Sequence, residues 1–245
     1  MSAAFRLALR QASGEKRRVT TAPTPRREPL VLLLCGAVAL GISAIRPHDV
    51  FTWFLEVAPI FIAAPILVLT ARRFPLTPLA YRLILLHALI LMYGGHYTYE
   101  LAPLGNWARD AFHLARNHYD RAGHFAQGFI PANLAREILL RNLPLRPGGW
   151  LFFIVTCICL AISAGYEFVE WWTAVAGGDS ANAFLGTQGD VWDTQWDMFL
   201  ALLGAITAQV TLARRHDRAL RDIARNPPEG DTSRSAQSLP LPPAL

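Results

Sequence analysis

Histidine and carboxylate side chains recur three or four residues apart in strings that interrupt an otherwise apolar chain. The pairs are His96 with Glu100, Asp120 with His124, Glu167 with Glu170, and Asp193 with Asp197. Residues so spaced share one face of a helix, and each pair therefore presents two groups to one neighbour. Imidazole nitrogen and carboxylate oxygen, with no thiolate among them, suit Zn, Mn or Fe and, with fewer histidines, Mg and Ca. One or two such ions held between helices would polarise a phosphoryl or carbonyl oxygen and activate water. A divalent metal is thus the candidate cofactor. In this scheme His124, Asp120, Glu170 and Asp193 are the candidate catalytic groups, and His96, Glu100, His118, Glu167, Asp190 and Asp197 the candidate metal ligands. Arg116 and Arg121, whose guanidinium groups bind phosphate or carboxylate in bidentate fashion, are candidate substrate contacts together with Gln188 and Gln195. A lipid headgroup or lipid-linked phosphate would fit them. Two other readings stay open: a proton relay, and a buried, neutralised network of Arg–carboxylate and His–Asp pairs that only fixes helix packing.

The elements that must position these groups are membrane helices. The 245 residues are 53% hydrophobic and 17% charged, against about 25% charge in ordinary soluble domains. Ionisable groups inside or beside membrane helices are costly, which makes them functional-site candidates. The formal charge of +5 resides in the tails and in alternate loops, with no aromatic-studded basic stripe, so nucleic acid is excluded as a partner and membrane lipid is expected instead. Cys35, Cys157 and Cys159 lie inside apolar stretches and suggest neither a disulfide framework nor a thiolate metal site.

Apolar runs at Leu30 to Ile45, Val50 to Leu69, Leu79 to Tyr99, Trp150 to Trp172 and Trp196 to Leu212 approach the roughly 20 residues a helix needs to cross the hydrocarbon core. A further segment, Asp120 to Leu140, carries Phe125, Phe129, Ile130, Leu134, Ile138 and Leu139 but also His124, Gln127, Pro131 and Asn133. Hydropathy passes over it. Counting it as a crossing puts the basic N-terminal tail, Arg72 and Arg73, Arg141 and Arg146, and Arg214 to Arg225 on one side, as the positive-inside rule requires. The loop bearing Asp179 and Asp190 then falls outside. The expected fold is an all-α polytopic transmembrane helix bundle of about six spans in the bacterial cytoplasmic (inner) membrane, with N- and C-termini cytoplasmic. Its parts are a basic tail over 1–29, read as leading into a retained signal-anchor helix, a transmembrane helical domain over 30–212, and a tail over 213–245. That last segment turns basic and then Pro/Ser-rich, with too little apolar content to pack.

This topology brings all the His and carboxylate pairs into one outer leaflet. In the last span the Asp193 and Asp197 face continues as Ala201, Gly204, Ala205 and Ala208, small residues that let membrane helices approach closely. His87 reads as core or lipid-facing packing, whereas His48 and His216 sit in polar connections and read as solvated. Trp107, Trp150, Trp171, Trp172, Trp192 and Trp196 fall at span ends, as an interfacial aromatic belt would. Glu56, with Pro59 and Pro65, marks either a broken helix or pathway, or a kinked helix with Glu56 near the outer interface. No phosphate-binding loop, zinc-protease helix or serine-nucleophile elbow is present. No internal repeat supports an inverted-repeat transporter.

At these strings the chain resembles the YjdF family of bacterial inner-membrane proteins, defined as a domain of unknown function. The matching elements are Gly94 to Tyr99, Pro103 to Gly105, Arg116 to Phe129, Arg136-Glu137, Tyr166 to Trp171 and Phe184 to Met198. The resemblance implies a polytopic membrane protein and supplies no reaction. A weaker similarity is to VanZ-like membrane proteins, with Asp120 and His124, Glu167 or Glu170, and Asp193, Asp197 and Gly204 as counterparts; Asp197 stands where an amide is expected. It implies envelope biology only. Three functions follow as alternatives: a metal-assisted enzyme or binder of lipid headgroups, a proton- or cation-coupled small-solute transporter, and a non-catalytic membrane partner.

Overall fold

The computed structural model describes residues 27–177 and 187–225, and every regular element among them is helical. The helices are α1 (Arg27–Ser43), α2 (Val50–Thr70), α3 (Pro78–Tyr97), the short α4 (Pro103–Phe112), α5 (Tyr119–Asn142), α6 (Gly149–Gly177) and α7 (Asp193–Arg225), with a single 3-10 turn at Tyr99–Leu101. Asp179, the segment Phe184 to Gly186 and most of both expected tails lie outside the described residues. Helix starts follow local chemistry. Asp49 accepts a hydrogen bond from the Thr52 backbone N–H at 2.6 Å, and Thr77 accepts one from Ala80 at 3.2 Å with Pro78 opening the helix behind it.

Among the described residues four helices are long and apolar enough to cross a membrane: α2, α3, α6 and α7. The expectation of about six spans is thus met by four on length and composition. The described part of α1 is 17 residues long, and α5, at 24 residues, carries Asp120, Arg121, Arg136, Glu137 and Arg141 within it. α7 runs past Leu212, where the sequence places the start of a tail, and stays helical to Arg225.

Contacts at the helix ends show the long helices alternating in direction. At one end Ser43, Asp49, His96, Asn117, Glu167 and Asp193 gather: His96 Nδ1 lies 2.9 Å from the Ser43 carbonyl, and the His48 N–H donates to the His96 carbonyl at 2.9 Å. At the opposite end Arg82 meets Glu28 at 2.6 Å, and Glu137 of α5 meets Thr77 and His216. α3 forms the hub between α1, α2 and α5, while α5 packs most extensively on α7 and α6 closes against both.

The α5–α7 seam is a backbone contact. A Cβ added at Gly128 would lie 1.8 Å from the Ala201 carbonyl oxygen, and one at Gly204 would lie 2.1 Å from that of Phe125. Only glycine allows this approach. The expected small-residue stripe is the α7 half of the seam, with Ala201, Ala205 and Ala208 fully covered. Below it an apolar core of Ala132, Leu140, Leu151, Val155 and Cys159 fills the space between α5, α6 and α7. Cys35 and Cys157 are exposed, Cys159 is buried, and all are free thiols.

Candidate functional site

The glycine seam fixes the distance between the first turns of α5 and α7 and so determines what their acidic residues can reach. His124, one turn after Asp120, is 5% exposed and stands at the centre of the group. Its Nε2 lies 3.6 Å from Asp120 Oδ1 and 3.9 Å from Asp197 Oδ2, and its Nδ1 lies 3.8 Å from Glu167 Oε1 of α6. All three separations exceed hydrogen-bond range. Among the described residues the imidazole has one hydrogen-bonding neighbour, the Gln127 side-chain oxygen, 3.1 Å from Nδ1. Two sets of groups have donor atoms mutually within 4.8 Å: Asp120, His124 and Asp197, and His124, Glu167 and Glu170. Glu167 Oε1 and Asp197 Oδ1 are buried without a hydrogen-bond partner among the described residues. Ionised oxygens in this state are expensive in a helix bundle, and a cation or a proton beside them would relieve the cost.

A neighbouring layer pairs its charges internally. Arg116 donates to Asp193 at 2.6 Å and to the Thr187 carbonyl at 3.0 Å, Arg121 donates to Asp190 at 2.5 Å, and the Arg121 guanidinium covers the Trp196 ring at 5.3 Å. Gln188, at a positive φ of 47°, clamps the backbone of Asn117: it donates to the Asn117 carbonyl at 2.9 Å and accepts from its N–H at 3.1 Å. Asn117 is itself buried and donates to Ala102 and Asn106. These bonds tie the start of α7 to the start of α5. Asp190 is held below the usual carboxylate range, first by the Trp192 backbone N–H and then by the Arg121 charge and hydrogen bond. His118, at the mouth of α5, is held below the usual histidine range by partial burial and by the Arg121 and Arg116 charges.

The residues singled out from the sequence therefore separate. Asp120, His124, Glu167, Glu170 and Asp197 come together, and Asp193, Asp190, Arg116 and Arg121 form the paired layer beside them. Gln188 serves the loop, and Gln195 is exposed. His96 and Glu100 stand apart, because α3 ends at Tyr97 and Thr98 turns the chain at φ 57°, so Glu100 falls in the 3-10 turn and not one turn further along the helix. His96 is occupied with the Ser43 carbonyl and the Tyr97 ring.

Two residues read otherwise in the sequence also meet partners on other helices. Glu56 is buried, 5% exposed, and accepts a hydrogen bond from Tyr166 at 2.9 Å, while the Tyr166 ring meets His124 edge-on at 6.2 Å. Glu56 thus belongs to the wall of the site. His216, expected to be solvated, is completely buried at the far end of α5, where its Nε2 lies 3.1 Å from Glu137 and its Nδ1 3.1 Å from Arg136. The correction has a plain cause: its partners come from another helix, and the charged string Arg214 to Arg218 shows none of them.

Comparison with known proteins agrees with this picture. The family described as "Predicted membrane protein (DUF2238)" matches residues 28–218. The chain is also similar to the "Inner membrane protein YjdF" of Escherichia coli (strain K12), 52% identical over 197 residues, which cover 79% of this chain and 94% of that protein. No solved structure matches.

Proposed function

The chain belongs to the DUF2238 family of predicted membrane proteins, and we propose that it is an inner-membrane bundle whose His124 cluster binds, and with a divalent ion acts on, the polar headgroup of a membrane lipid or lipid-linked molecule. Six helices cross, α1 and α5 included, and the cytoplasmic side is the end where Thr77, Glu137 and His216 meet. Arg72, Arg73, Arg141, Arg146, Arg214, Arg215 and Arg218 belong to that end, as cytoplasmic loops require. The His124 cluster then opens toward the outer leaflet.

One observation carries the reading. A single buried imidazole is faced by carboxylates from three helices, two of whose oxygens have no hydrogen-bond partner among the described residues. A purely structural network would have paired these charges, as the adjacent Arg116–Asp193 and Arg121–Asp190 bridges do. The apolar core and the backbone-to-backbone seam below the cluster favour a site open on one side over a route through the bundle.

The test is lipid identification by mass spectrometry on protein extracted with its native lipid. One headgroup class should be enriched on the wild type and depleted on Asp120→Asn and Glu170→Gln variants, which should also fail to restore the phenotype of a deletion strain. Identical lipids on all three proteins, together with full rescue, would sink the proposal.

A further inference from the structure

Both candidate donor sets share His124 but use opposite edges of its ring. Asp120 and Asp197 face Nε2, and Glu167 faces Nδ1. The Gln127 side chain decides between them. Its oxygen, 3.1 Å from Nδ1, accepts a hydrogen bond there and so keeps the proton on Nδ1. The lone pair is left on Nε2, aimed between the two aspartates.

We propose that Asp120, His124 Nε2 and Asp197 form a binding site for one divalent transition-metal ion, with Gln127 positioning the imidazole from its Nδ1 side. The inference rests on the functional reading above for where the site faces, and not for the ion itself.

Three independent features support it. The Nε2-to-oxygen separations of 3.6 and 3.9 Å are close to the ~3.3–3.6 Å between neighbouring ligands of a tetrahedral ion with bonds of about 2.0–2.2 Å. Asp197 is 2% exposed, and its Oδ1 has no hydrogen-bond partner among the described residues. Two carboxylates and a neutral imidazole carry the charge that one dication cancels, whereas the guanidinium groups nearby already hold Asp190 and Asp193. One nitrogen with two carboxylate oxygens suits Zn, Mn or Fe(II) and not the all-oxygen preference of Ca or Mg. The Gln127 oxygen, which accepts from the far ring nitrogen, gives the imidazole the kind of hydrogen bond that metal-bound histidines ordinarily make on that side.

The experiment uses the full chain in detergent, stripped with chelator and titrated with Mn2+, and separately with Zn2+. One ion per chain should bind, and the pulsed electron paramagnetic resonance spectrum of the Mn2+ form should show a directly bound imidazole nitrogen. His124→Ala and Asp197→Asn should abolish stoichiometric binding, His96→Ala should retain it, and Gln127→Leu should weaken it by about 10–100-fold without loss of helical circular dichroism. No stoichiometric binding of either ion by the wild type, or a bound Mn2+ without a nitrogen coupling, overturns the inference; the wild-type spectrum needs no variant to fold. If lipid selectivity still depends on Asp120 and Glu170 when no ion binds, the headgroup reading survives alone. Ion binding without lipid selectivity leaves the metal site standing and removes that reading.

Discussion

Glu137 of α5 is completely buried and accepts four hydrogen bonds: from the Thr77 N–H at 2.9 Å, the Thr77 hydroxyl at 2.7 Å, Arg141 at 3.1 Å and His216 at 3.1 Å. Arg141 also donates to the Pro75 carbonyl at 2.6 Å and stacks on Phe74. Unlike the His124 cluster, this network has every gap closed, which is how a structural buried charge looks. Removing it strands its donors, so Glu137→Ala should cost about 3–5 kcal/mol, measured as loss of thermal stability in detergent, whereas Glu137→Gln should cost less. His118 gives a pH-dependent prediction. Its folded-state value is lowered by burial and by Arg121 and Arg116. Above about pH 6.5 the ring is neutral in folded and unfolded chains alike and contributes no pH dependence. As the pH falls below that value the unfolded chain takes up a proton that the folded chain resists, and stability declines until the folded value is passed. Between pH 7.5 and 5.5 the melting temperature should therefore fall further in the wild type than in His118→Asn. Equal slopes in the two proteins would remove His118 from this role. Residues whose partners lie a turn away, such as Asp120 with His124, were legible in the sequence from spacing alone. The partners of His216 and Glu56 were not, because burial by a distant helix leaves no local pattern.

Helix pairs decide where these side chains meet, and the α5–α7 crossing matters most. Its α7 half was readable as a stripe of small residues below Asp197, but the α5 half depends on Gly128, an isolated glycine within a segment that hydropathy overlooks. Charge topology was what identified α5, since its buried face is polar. At the end of α3 spacing misled. The interval from His96 to Glu100 assumes a helix that continues, and the chain instead leaves the helix at Thr98 with φ 57°. The neighbouring Gly94 is packed beneath the Tyr99 ring, where an added Cβ would lie 2.4 Å from it. For Gly128→Ala and Gly204→Ala the obstacle is the backbone of the partner helix, which cannot rotate away. Each should cost about 1–3 kcal/mol or more and also weaken metal binding, because moving α7 withdraws Asp197 from His124. Gly165→Ala, with nothing within 4 Å of its added Cβ, should change stability by no more than about 1 kcal/mol. Thermal melts of the three variants, with Mn2+ titrations alongside, check the contrast. Comparable effects at Gly165 and Gly128 would show that the seam is not what sets the geometry.

At the scale of the whole molecule, the number of crossings turns on α5. Its neighbours α3 and α6 are apolar enough to span, and α5 lies between them with its polar residues turned inward, Asp120, His124, Asn133, Arg136 and Glu137 all being buried. A helix that hides its charges inside a bundle can cross a bilayer although its own composition argues against it, because lipid meets only its other face. If α5 crosses, His113 before it and Asn142 at its end lie on opposite sides of the membrane; if α5 lies on the surface, they share a side. Both positions are exposed, so single cysteines there can be labelled in intact cells after Cys35, Cys157 and Cys159 have been replaced. His113→Cys should react with a membrane-impermeant maleimide added outside, and Asn142→Cys and Asp222→Cys only after the membrane is permeabilised. Labelling of both His113→Cys and Asn142→Cys from outside would eliminate the α5 crossing. It would also reverse the side on which α7 ends, so Asp222→Cys provides a second reading of the same question. The outcome bears directly on the His124 cluster, since the side on which His113 reacts is the side from which a headgroup or an ion must reach it.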